Sequence, residues 1–239
     1  MIRPSQEAVR ARQAESAASD AVEISSLSAQ YGGTGQLALD QVTLRVRTGA
    51  RAALVGANGA GKSTLLKAIV GLVPITAGTI EIHGASFRSC RRRVAYLPQL
   101  TEVDWRFPVS VARLVLSGTY VHLGWLRRPG RAERELARRS LARLGIENLA
   151  ERQIGQLSGG QRQRALLARA LVQQADVVLL DEPFTAVDAE SRSVVLNVMD
   201  QLRRDGITVL LATHELDHMA IDPNDIVHLA DGRVVTECE

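Results

Sequence analysis

Apolar residues in this chain come in short runs broken by turn residues, and the period of the runs changes along the sequence. Val22–Leu27 and Leu37–Val46 have strand character, the second partly alternating, with Gly32-Gly33 as turn chemistry between them. Ala52–Val55 is a short apolar run leading straight into a glycine-rich stretch, and Thr64–Val70 follows with the composition of a helix. Thr79–Ile82 and Val94–Leu97 predict further short strands, divided by a basic stretch that includes Arg91-Arg92-Arg93.

After Gln99 the spacing becomes helical. Ser110–Val121 and Ala132–Leu144 predict helices, with Leu136, Leu141 and Leu144 on the apolar face of the second. Arg131, Arg134, Arg138, Arg139 and Arg143 mark its solvated side. Strand signals return at Val177, alternate with a helix carrying Val195, Val198, Met199 and Leu202, and recur at Ile207–Ala212 and Ile226–Leu229. Alternating β and α elements predict an α/β fold with a mainly parallel sheet. The organisation expected is a flexible arm over residues 1–20, then one domain over 21–239. Its core spans 21–99 and 171–239, and a helical subdomain is inserted at about 100–170.

Composition narrows the class. Hydrophobic residues make up 46%, as in ordinary globular proteins, and the net charge of +3 is too small to argue for nucleic acid. Cys90 and Cys238 lack metal-ligand spacing, which fits a reduced, cytosolic protein. No apolar run approaches the ~18 residues of a membrane span. Residues 1–20 are too charged for a secretory signal.

Three segments carry chemistry. Gly56-Ala57-Asn58-Gly59-Ala60-Gly61-Lys62-Ser63-Thr64 has the form GxxxxGK[ST], between a strand and a helix. Its glycines let the backbone approach phosphates, Lys62 supplies positive charge, and Ser63 offers a hydroxyl to Mg²⁺. The start of the following helix adds free N–H groups and its dipole. Val177-Val178-Leu179-Leu180-Asp181-Glu182 is an apolar strand ending in two carboxylates. Asp181 there suits Mg²⁺ and Glu182 suits a general base for an attacking water. In Leu157-Ser158-Gly159-Gly160-Gln161, Ser158 is a natural helix N-cap, Gly159-Gly160 expose amides, and Gln161–Leu171 is helix-forming. His214-Glu215-Leu216-Asp217-His218 also fits HExxH, but His214 closes a β-type run and no third zinc ligand is identifiable.

With LSGGQ between the phosphate loop and Asp181-Glu182, the chain resembles the ATPase subunit of an ABC transporter. The resemblance implies a P-loop NTPase (RecA-like) core with an N-terminal antiparallel β subdomain, and ATP with Mg²⁺ as its ligands. It places Gln99 at a metal-sensing loop that joins core and helical insertion, and His214 near the γ-phosphate. Tyr31 becomes the aromatic stacked on adenine. Ser158, Gly159, Gly160 and Gln161 would face ATP held by a second copy, with Asp188 of Thr185-Ala186-Val187-Asp188 crossing that interface. The implied assembly is an ATP-bound homodimer docked on two transmembrane permease subunits at the cytoplasmic face of the membrane, served by a substrate-binding protein, without nucleic acid.

Val103–Val111, Gly118–Tyr120, His122–Arg128 and Gln153–Gly155 resemble the manganese, zinc or iron uptake cassettes. Uptake of a transition metal is therefore the expected function, with an iron-chelate or haem importer as the alternative and a soluble non-transport ABC ATPase behind it. Trp105, Phe107 and Trp125 form an aromatic group that suits either a groove for a membrane subunit's helix or the insertion's own core.

Overall fold

The computed structural model describes residues 20–30, 37–124, 127–185, 187–214, 219 and 221–235. Strands β1 (Asp20–Gln30), β2 (Leu37–Arg47), β4 (Ile75–Ile82) and β5 (Ala85–Ser86) form an antiparallel sheet in the order β2-β1-β4-β5. Asp20, assigned to the arm by sequence, already opens β1. In β2 the period of two is plain: Val42, Leu44 and Val46 are buried while Gln41, Thr43 and Arg45 are exposed.

The second sheet has the order β10-β9-β3-β8-β7-β6, built from β3 (Arg51–Val55), β6 (Val94–Leu97), β7 (Val177–Asp181), β8 (Thr208–Thr213), β9 (Ile226–Ala230) and β10 (Arg233–Val235). All pairs in it are parallel except β9 with β10. Its central strands are apolar at successive positions because both faces are covered. Val177, Leu179, Leu210 and Ala212 join one core with the antiparallel sheet and helix α1 (Lys62–Ile69). Val178, Leu180, Val209 and Leu211 face the other core, shared with the helices.

Those helices follow the short α2 (Phe87–Cys90): α3 (Val111–Ser117), α4 (Tyr120–Leu123), α5 (Arg131–Arg143), α6 (Gly159–Leu171) and α7 (Ala189–Arg204). Ser110–Val121, expected as one helix, is two. At the break, a Cβ on Gly118 would lie 2.2 Å from the Arg169 carbonyl oxygen on α6, so the chain here packs backbone against backbone. Helix α5 buries Ala137, Ser140 and Leu141, keeps Arg131, Arg134, Arg138, Arg139 and Arg143 exposed, and ends at the fully buried Leu144. Among the described residues no helix is long and apolar enough to cross a membrane.

Candidate functional site

Parallel pairing sets the site. Val55 is opposite Thr213 and Asp181 is opposite Ala212, so β3, β7 and β8 end at one edge of the sheet. In open parallel sheets that carboxyl edge is where ligands bind. Residues 56–61 leave β3 there as a loop, with Asn58 and Gly59 exposed at its turn. Gly61 (φ 105°) occupies the left-handed region and precedes α1 without giving it a side-chain cap. The first amides of α1, from Lys62, Ser63 and Thr64, thus lack a cap from Gly61 and point out of the helix start. Lys62 is buried, its Nζ donating to the carbonyls of Gly56 at 2.7 Å and Ala57 at 2.9 Å.

Two side-chain groups meet beside this loop. In the first, Ser63 Oγ donates to Asp181 Oδ1 at 2.8 Å and Tyr96 Oη donates to Oδ2 at 3.2 Å. Asp181 is wholly buried, and burial pushes its carboxyl up from the usual range against the pull of those hydrogen bonds. A buried carboxylate beside a hydroxyl is a pair of hard oxygen donors, which fits Mg²⁺.

In the second group, Glu182 Oε2 accepts from Gln99 Nε2 at 3.2 Å and from Thr185 Oγ1 at 2.8 Å. Its other oxygen, Oε1, lies 3.9 Å from His214 Nδ1. Glu182 adopts φ 45°, and its N–H donates to the Ala212 carbonyl at 3.0 Å. The sheet holds this unfavourable backbone and turns the side chain toward Gln99 and His214.

Ser158-Gly159-Gly160-Gln161 forms a separate feature. Ser158 caps α6, accepting from the Gln161 N–H at 3.3 Å, and Gln161 Oε1 accepts from the Ser158 N–H at 3.1 Å. Asp188 caps α7 through the Ser191 N–H at 2.8 Å, a bond that holds its carboxyl below the ordinary value. The two helix starts touch: a Cβ on Gly160 would lie 2.3 Å from Asp188 Oδ2, so only glycine fits unless α7 shifts. Trp105 packs against the helical core with its Nε1 on the Leu100 carbonyl, under the Arg162 guanidinium, whereas Phe107 is 63% exposed. Tyr31, Trp125 and Glu215–His218 lie outside the described residues.

Two participants escaped the sequence reading, Tyr96 and Thr185. Tyr96 alternates with Leu97 on β6 and so faces the phosphate-loop side; Thr185 follows Glu182 by one tight turn. Thr185 belongs to Thr185-Ala186-Val187-Asp188, whose resemblance points only to Asp188, and nothing local marks Tyr96.

The ABC transporter family matches residues 39–185. The zinc transport system ATP-binding protein TroB of Treponema pallidum is 44% identical over 93% of this chain and 82% of its own length. The manganese transport system ATP-binding protein MntB of Listeria innocua is 42% identical over 81% of each chain. The dimeric, post-hydrolysis ATP-binding cassette MJ0796 bound to ADP and Pi superposes with a TM-score of 0.76 at 26% identity, over 90% of this chain and 97% of that one. Fold, motifs and relatives agree: the chain belongs to the ABC transporter family, as one of its ATP-binding cassettes.

Proposed function

We propose that this cassette hydrolyses ATP to drive uptake of a transition metal (manganese, zinc or iron), working as an ATP-bound homodimer on two transmembrane permease subunits at the cytoplasmic face of the membrane. A substrate-binding protein delivers the cargo. The cargo assignment rests on the likeness to zinc and manganese transport system ATP-binding proteins at 40–44% identity. The catalytic assignment is carried by one observation: a carboxylate, Glu182, held by Gln99 and Thr185 beside His214, next to Asp181 and the phosphate loop.

In this reading Lys62 and the first amides of α1 take the phosphates, and Tyr31 stacks on adenine. Ser63, Asp181 and Gln99 would hold Mg²⁺, which neutralises phosphate charge when bound. Glu182 Oε2 is already engaged, so Oε1 takes the proton of the attacking water as its oxygen bonds to the γ-phosphorus and the bond to ADP breaks. His214 keeps Oε1 and the γ-phosphate in register. Ser158 and Gly160, with Asp188 behind them, present the α6 start to the ATP of the second copy. Loss of the γ-phosphate then lets the pair part. Phe107 remains exposed for the permease.

Glu182→Gln should lower ATP hydrolysis by about 10²–10⁴-fold while ATP binding is retained; hydrolysis at an undiminished rate removes Glu182 as the base. For the cargo, the cassette reconstituted with its permease should drive ATP-dependent uptake of Mn²⁺ or Zn²⁺. Uptake of an iron chelate or haem in their place would reassign it.

A further inference from the structure

Tyr96 has no part in the roles above, yet it touches the most buried carboxylate of the site. In the parallel register of β6 and β7 it stands opposite Leu179. Asp181 is two residues further along β7 on the same face, which makes it the diagonal neighbour of Tyr96. A phenol is long enough to span such a diagonal. Its hydroxyl donates to Asp181 Oδ2 at 3.2 Å, and Ser63 donates to Oδ1 at 2.8 Å. Each oxygen of the carboxylate therefore has its own donor. The terminal torsion of an aspartate is broad when unrestrained, so the pair of bonds sets the plane of the group.

We infer that Tyr96 is a positioning residue for Asp181: it engages Oδ2 and leaves Oδ1 beside the Ser63 hydroxyl as an oriented pair for the divalent cation. This rests on the reading of Ser63 and Asp181 as the Mg²⁺ pair. Mg²⁺ demands near-ideal octahedral geometry, whereas Ca²⁺ accepts irregular ligands. A carboxylate free to swing therefore costs Mg²⁺ more than Ca²⁺. The phosphate loop does not depend on the phenol, since Lys62 and the α1 amides act without metal.

The test is equilibrium binding of a non-hydrolysable ATP analogue to the full chain, wild type and Tyr96→Phe, in EDTA, Mg²⁺ and Ca²⁺. In EDTA the two proteins should bind equally. The gain in affinity on adding Mg²⁺ should shrink by about tenfold in Tyr96→Phe, the worth of a hydrogen bond to a charged group. The gain with Ca²⁺ should shrink less. In an Asp181→Asn background Tyr96→Phe should add nothing. Equal Mg²⁺ gains in both proteins, or an equal loss in EDTA and Mg²⁺, overturn the positioning role. A wild-type protein with no Mg²⁺ gain overturns the Ser63–Asp181 reading beneath it. Should Tyr96→Phe fail to fold, Tyr96→Met gives the same comparison.

Discussion

Asp181 and Glu182 are adjacent in sequence but live in different surroundings. Asp181 is wholly buried at the end of β7, with its carboxyl pushed up by loss of water. A group whose folded value is raised contributes stability below its ordinary value and loses it as pH rises through the folded one. Asp181→Asn should therefore raise the melting temperature of the nucleotide-free protein in EDTA, more at pH 8 than at pH 4, while abolishing hydrolysis. A lower melting temperature at pH 8 contradicts this. Asp181 and Glu182 were legible in the sequence because four apolar residues before them fix a buried strand. Tyr96 was not, because its contact depends on how β6 registers against β7, which no local pattern encodes.

The elements were legible where one face is dry and the other wet. Residues 37–46 and 132–144 carry that contrast, and they became β2 and α5. Boundaries were lost where tertiary packing decides them. Gly118 is the local signal of a break in residues 110–121, but the reason glycine is needed there is the backbone of α6 a long way downstream. Gly118→Ala would push a methyl against the Arg169 carbonyl, which cannot yield as a side chain would. It should cost about 1–3 kcal/mol of stability, the usual range for overpacking. Chemical denaturation at unchanged slope measures it, and a neutral substitution contradicts the packing. Leu144→Ala in the same helical core should cost about 2–5 kcal/mol, read from the same denaturation curves.

At the scale of the molecule the site is divided. One group of residues, Lys62, Ser63, Asp181, Gln99, Glu182 and His214, sits at the carboxyl edge of the parallel sheet. The other, Ser158 to Gln161 with Asp188, sits at two touching helix starts on the helical side. The capping box satisfies Ser158 and Gln161 within the chain and fixes the start of α6, the surface that the proposed function turns toward the ATP of a second copy. The central claim is that two copies complete each other around ATP. Sedimentation velocity on Glu182→Gln with ATP and Mg²⁺ tests it most directly. The account predicts a dimer that forms with ATP and dissociates with ADP, and that Ser158→Ala weakens. A strictly monomeric protein at high concentration, saturated with ATP, contradicts it.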